Sequence, residues 1–207
     1  MVTYLALNFG GGAFAIMNAI QCSKERADQI IKNYEEGFKG TTEFAKKGSK
    51  FVRQHGYVLI EPITGNKMYW WDWEEWKKRQ ESFTQEFWEE YRTIHKPAED
   101  EVFQMVKYHF RAASKYDRMA RNSPTQGTAA AVMKDALHKL FKWICDNGYF
   151  GKIHLCIEVH DEINADYPEE ITEFPEVLKN IMETSAKKYC KSLPIPAEYS
   201  VGDCWIH

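Results

Sequence analysis

The 207-residue sequence predicts an α+β protein in which helices dominate and β structure is confined to hairpins. Apolar residues recur at helical spacing in one segment after another. The strictest runs through Ala129, Val132, Met133, Ala136, Leu137, Leu140, Phe141 and Ile144. The period then changes to two: Ile153, Leu155, Ile157 and Val159 alternate with His154, Cys156 and Glu158. Finally, Tyr57-Val58-Leu59-Ile60 and Lys67-Met68-Tyr69-Trp70 bracket Thr64-Gly65-Asn66, which is a hairpin signal.

Taken in order, the first helix is marked by Ala27, Ile30, Ile31, Tyr34 and Phe38, behind Ser23 as N-cap and with Glu25 in its first turn. A second helix is expected over 42–55, ended by Gly56. After the hairpin, residues 73–92 read as one amphipathic helix with Trp73, Trp76, Phe83, Phe87 and Tyr91 on a stripe, broken by Pro97. The next helix, over 99–121, is expected to bury Val102, Val106, Phe110 and Ala113. Ser123-Pro124 separates it from the long helix, which continues to Gly148. A strand, the tight turn His160-Asp161, and a return strand over 163–167 follow. A last helix over 175–191 and a closing strand over 198–201 complete the reading.

Composition is that of a globular protein, with 44% hydrophobic and 28% charged residues. Aromatics reach 14% and tryptophans number seven, which calls for broad packing surfaces or an interface. No apolar run is long enough to span a bilayer and no signal segment follows Met1, so no membrane partner and a cytoplasmic location are expected. The five cysteines are scattered without a C-x-x-C pair, so reduced and mostly buried thiols are expected. Net charge is −3, which does not favour nucleic acid. Two basic clusters stand out locally, Lys46, Lys47, Lys50 and Arg53, then Arg111, Lys115, Arg118 and Arg121. On composition alone each is a solvated helix face.

Two short segments carry chemistry. At the hairpin tip, His160-Asp161-Glu162 puts two adjacent acids at the end of a strand, a set of hard oxygens suited to Mg²⁺ and substrate phosphates. Turns also favour Asp for backbone reasons. In the second segment, Arg118, Asn122 and Gln126 stand at i, i+4 and i+8 and share a face if helical. They either meet acceptors on a ligand or cap a helix start.

Arg118-x-x-x-Asn122-x-Pro124-x-Gln126-Gly127-Thr128-Ala129-Ala130, then a long helix, then a strand ending Val159-His160-Asp161-Glu162, closely resembles the family A DNA polymerases. Gly202-Asp203-Cys204-Trp205 resembles the family's C-terminal G-x-x-W, Gly56-Tyr57-Val58 its G-Y-V, and Phe9-Gly10 onward its fingers helix. The resemblance covers nearly the whole chain. It is weakest over 70–101, which looks like an aromatic-rich insertion. It implies helical fingers followed by a palm with an antiparallel β-hairpin packed on long helices. The divisions are a fingers portion over 1–70, an inserted helical portion over 71–110 and a palm portion over 111–207.

By this resemblance the activity is template-directed DNA synthesis, nucleotidyl transfer to a primer 3′ end. The partners are primer–template DNA and dNTPs, and the cofactor is Mg²⁺ in a two-metal site. Asp161 matches the second metal-binding Asp and Glu162 its supporting neighbour. The first Asp would lie upstream of Met1, which makes an upstream polymerase fragment an expected partner. Arg118, Asn122, Gln126 and His160 match residues lining the minor groove at the primer end, where fixed donors test pair geometry without choosing sequence. Leu5, Phe9 and Gly10 match positions at the nucleotide and template. There are departures: Met1 falls where the family has a triphosphate-binding Lys, Leu5 replaces an aromatic, and Asn66-Lys67-Met68 replaces a more basic segment. The alternative is a catalytically silent DNA-binding or structural remnant. A third reading, an unrelated metal-dependent hydrolase built on His160-Asp161-Glu162, leaves the Arg118–Ala130 motif unexplained.

Overall fold

The computed structural model describes residues 7, 10–61, 63–94 and 100–205. They form helices and two separate two-stranded antiparallel sheets, in agreement with the α+β expectation. The chain divides into two compact units, Met1–Thr125 and Gln126–His207.

In the first unit, α1 (Ala13–Ile20) leads into α2 (Lys24–Gly37), whose N-cap Ser23 accepts from the Arg26 amide as the sequence predicts. Their apolar faces meet around Leu7, Ile16, Ala27 and Tyr34. Helix α3 (Lys39–His55) ends at Gly56, which takes the left-handed conformation with φ of 72°. The indole of Trp73 lies against that glycine and donates to the Arg53 carbonyl at 2.8 Å, satisfying one of the last carbonyls of α3. A Cβ at Gly56 would stand 2.7 Å from the Trp73 ring. Gly56→Ala therefore combines a left-handed alanine with a displaced indole. We expect it to destabilise the first unit by at least about 1–2 kcal/mol. Chemical denaturation checks this, and an unchanged midpoint refutes it.

Strands β1 (Tyr57–Glu61) and β2 (Asn66–Tyr69) pair as the alternation predicts, Tyr57 opposite Tyr69 and Val58 opposite Met68. The turn is organised by Glu61, which is buried. Its carboxylate accepts from the Ile63 and Thr64 amides and the Thr64 hydroxyl.

The single helix expected over 73–92 is two, α4 (Trp73–Ser82) and α5 (Gln85–Ile94). Thr84 breaks it by accepting the Phe87 amide on its hydroxyl, the N-cap bond of a new helix. Pro97 lies outside the described residues.

A larger departure is α6 (Glu101–Asp146), one helix where the sequence predicts two, with Pro124 inside it. Proline removes the amide that would serve the Ala120 carbonyl four residues back. Gly48 of α3 comes close to that same carbonyl, and a Cβ there would stand 3.1 Å from its oxygen. Before Pro124, α6 buries Val106, His109, Ala113, Tyr116 and Ala120. Phe110, expected in that core, is 51% exposed, because His109 takes the inward position at this turn. His109 stacks flat on Trp76 (centroids 4.9 Å apart, planes 6° apart), meets Phe83 edge-on, and bonds Gln80 Oε1 through Nε2 at 2.8 Å. Val52, Val58, Trp70 and Tyr116 fill the rest of this core.

In the second unit, β3 (His154–Val159) and β4 (Glu162–Asp166) form the hairpin that the alternation predicts. Ile153 and the inner face of the hairpin pack on Leu140 and Ile144 of α6 and on Phe174 at the start of α7 (Phe174–Tyr189). Beside this core Asp135 lies between Lys139, at 2.6 Å, and Lys188, at 2.9 Å. Burial alone would push its carboxyl pKa up. The hydrogen bonds from Lys139, Lys188 and Ser185 outweigh that and bring it down to about 2.

The closing strand expected over 198–201 is absent among the described residues. Pro194 and Pro196 withdraw two ladder donors just before it. The cysteines are free as expected, but Cys145, Cys156 and Cys204 are exposed, not buried. Cys145 sits on the outer side of α6, and Cys156 falls where the β3–β4 register shifts.

Candidate functional site

The expected site residues lie in both units. In the first, Gly10 adopts a left-handed φ of 82° and packs on the side chains of Arg118 and Arg121. A Cβ at Gly10 would stand 3.0 Å from Arg118 Cγ. Beside it, Gly10, Gly11, Gly12, Thr42, Lys46 and Arg121 line a cleft. The stems of two arginines thus rest on a backbone with no side chain in the way. Arg118 is exposed and Asn122 half-buried on α6, while Ser123, next after Asn122, turns inward toward Met68 Sδ at 3.6 Å. Leu5 and Phe9 lie outside the described residues.

Gln126, exposed, opens the second unit on the same helix, so Arg118, Asn122 and Gln126 are all helical as their spacing requires. The reading in which they cap a helix start does not survive, because no helix starts there.

The hairpin tip belongs to the second unit. Val159 and Glu162 are paired across the strands, which leaves His160 and Asp161 as a two-residue loop. A two-residue loop that follows the strand twist needs a left-handed first residue, usually Gly. His160 fills it with φ of 56°. A histidine there costs backbone free energy that glycine would not, a form of local strain that collects at functional sites. Asp161 follows, exposed. Glu162 is half-buried, and its Oε1 accepts from Trp205 Nε1 at 2.8 Å and from Asn164 Nδ2 at 3.3 Å. The two acids are therefore unequal: one is held by neutral donors and the other faces solvent.

Sequence reasoning gave Trp205 no role of its own. Its contact with Glu162 spans 43 residues, and nothing in the sequence near either residue signalled it. Among the described residues no three His, Cys, Asp or Glu side chains converge on one point, so Asp161 and Glu162 form at most part of a cation site. No helix among the described residues is long and apolar enough to cross a membrane.

The family model "DNA polymerase family A" matches residues 2–207. DNA polymerase I of Borreliella burgdorferi is 27% identical over 205 residues, covering 97% of this chain and 18% of that protein. The thermostable DNA polymerase I of Thermus filiformis is 40% identical over 91 residues, 44% of this chain and 10% of that protein. The chain thus spans less than a fifth of these relatives. Among solved structures, the POL domain of Pol1 from M. smegmatis, in complex with DNA primer-template and dNTP, superposes with a TM-score of 0.63. At 19% identity over 89% of this chain and 26% of that one, it speaks for the fold alone.

Proposed function

The chain belongs to DNA polymerase family A, and on that premise we propose that it is the fingers and palm part of a template-directed DNA polymerase. It takes part in extending a primer 3′ end, and the family's first metal-binding Asp is supplied by sequence other than these 207 residues, in the same polypeptide or in another. The fingers are residues 1–70, the aromatic-rich helical insertion 71–110 and the palm 111–207.

The observation that carries this reading is the hairpin tip. A left-handed histidine, an exposed Asp161 and a Glu162 held by Trp205 stand at the end of a rigid pair of strands. Both carboxylates offer hard oxygens, and Mg²⁺ binds through one or two such groups together with substrate phosphates, so the residues present fit a share of a Mg²⁺ site. Asp161 would be the ligand and Glu162 its support. When bound, Mg²⁺ supplies charge neutralisation and activation of a hydroxyl for in-line displacement.

The remaining residues bind and orient. Trp205 and Asn164 keep the Glu162 carboxylate from swinging into the space beside Asp161. Arg118 and Asn122 offer donors on the first unit's part of α6, and in the second unit Gln126 offers another and His160 a ring at the hairpin tip. Donors of this kind suit the minor-groove acceptors that every base pair shares. Gly10, with Leu5 and Phe9, would lie at the nucleotide and template.

Extension of a labelled primer tests the reading. The 207-residue chain alone is expected to give no product, and the chain mixed with a polypeptide carrying the upstream Asp is expected to extend the primer in Mg²⁺. Robust synthesis by the chain alone overturns the division of the active site. No synthesis by the pair leaves the silent DNA-binding remnant as the reading.

A further inference from the structure

The β1–β2 hairpin has two faces of opposite character. Val58 and Trp70 turn into the core, only 6% and 3% exposed, while Tyr57, Leu59, Lys67 and Tyr69 alternate onto the other face. Trp71, directly after Trp70, is 91% exposed. On that outer side aromatic rings follow one another without a gap. Phe51 and His55, one turn apart on α3, lie 4.4 Å apart, and Phe51 meets Tyr57 at 5.2 Å. Tyr57 meets its cross-strand partner Tyr69 at 6.1 Å, and Tyr69 meets Trp71 at 6.5 Å. The ladder belongs to no core: its far end is almost wholly in solvent.

The charge around it selects the ligand. Residues 39–71 carry six Lys and Arg against two Glu, in a chain whose net charge is −3. Of the two acids, Glu61 is buried and bonded within its own turn. Glu43 faces Lys47 at 3.9 Å. Lys67 stands over the Tyr57 ring at 4.4 Å, which places a cation directly on the ladder. Asp72, beside Trp71, accepts from the Tyr108 hydroxyl. Arg53, paired with Asp117, contributes least. Exposed ring faces with a lysine on them, in a segment of net positive charge, are what a single strand needs, with bases stacking on rings and phosphates meeting cations. A duplex keeps its bases stacked inside and cannot use the rings.

We propose that the face formed by Phe51, His55, Tyr57, Tyr69 and Trp71 binds single-stranded DNA without sequence preference, apart from the primer-end site. The proposal rests on the polymerase reading only in choosing DNA over other single-stranded polyanions. The rings and the charge stand by themselves.

The test is an anisotropy titration of a fluorescein-labelled 20-mer of thymidylate with the 207-residue chain. Binding is expected to weaken as salt rises. Trp71→Ala and Tyr69→Ala are each expected to weaken it at least about fivefold, and Trp71→Phe is expected to retain most of it. Both truncated side chains are exposed, so helix content by circular dichroism should not change. The proposal is overturned if the wild-type chain does not bind the oligonucleotide at low salt, or if the double variant carrying both Trp71→Ala and Tyr69→Ala binds as wild type. It is equally overturned if Lys107→Ala with Arg111→Ala abolishes binding while the ring variants do not. Dissociation of a dimer by Trp71→Ala with oligonucleotide affinity unchanged would make the face a protein interface. Asp161→Asn should leave oligonucleotide affinity as it is, so failure of primer extension and failure of the ladder are read separately.

Discussion

Asp161→Asn should lower Mg²⁺-dependent primer extension, assayed with a polypeptide that carries the family's first metal-binding Asp, by roughly a thousandfold or more. That is what several kcal/mol of lost charge stabilisation amounts to. The substitution keeps the size of the side chain and removes its charge. Asp161 is exposed at the second loop position, where Asn is as acceptable a turn residue as Asp. The thermal midpoint should therefore remain within a degree or two of wild type, the usual outcome of a surface substitution. The two readouts together separate a metal ligand from a turn former. Normal extension removes Asp161 from the chemistry. A large loss of stability with the extension defect assigns it to the turn.

His109 predicts an acid limb of stability that belongs to the first unit. Desolvation in the Trp76 and Phe83 pocket, with repulsion from Arg79 and Arg53 adding to it, lowers the imidazole pKa to about 4 from an ordinary 6.5. Its Nδ1 is buried without a hydrogen-bond partner, and Nε2 meets Gln80, so the neutral ring is the form that fits. The unfolded chain takes up a proton below about 6.5 and the folded one only near 4. Stability contributed by the neutral ring is thus complete above 6.5, falls as pH drops toward 4, and stays level below that. The loss approaches about 3 kcal/mol. His109→Phe keeps a ring on Trp76 and removes the titration. Urea denaturation from pH 7 to pH 4 should show wild type losing about that amount of stability relative to the variant. Parallel curves would refute it. The second unit is expected to hold until lower pH, since Asp135, with its carboxyl pKa lowered to about 2, begins to lose its stabilising contribution only below about 4 and keeps its ion pairs until pH approaches 2.

What the sequence made legible was local. Ser23 as N-cap, Gly56 as helix stop, the β1–β2 turn and the β3–β4 tip are each written within four or five residues, and each formed as read. Errors arose where a remote partner decided. Phe110 and His109 are adjacent and both plausible inward, and only the Trp76 and Phe83 surface selects the histidine. Pro124 signals a helix end locally, yet the helix continues through it. In the candidate site, the motif positions were readable because residue type and spacing carry them. The clasp of Trp205 on Glu162 was not, because nothing near either residue encodes a contact across 43 positions. The ring ladder was hidden for the same reason: Phe51 and Trp71 are neighbours only through the pairing of Tyr57 with Tyr69.

Pro124 gives α6 a property that its unbroken outline conceals. Helical order propagates because each residue inherits its fixed conformation from the hydrogen bond before it. At the Ala120 carbonyl that chain of inheritance is one link short. Amide hydrogens of α6 should then exchange with deuterated water in two populations. Those just around the proline escape through small local openings, while those near Leu140 and Ile144 wait for their own core to open. Unravelling that begins at Glu101 would stall at the proline, so the 46-residue helix melts as two shorter ones laid end to end.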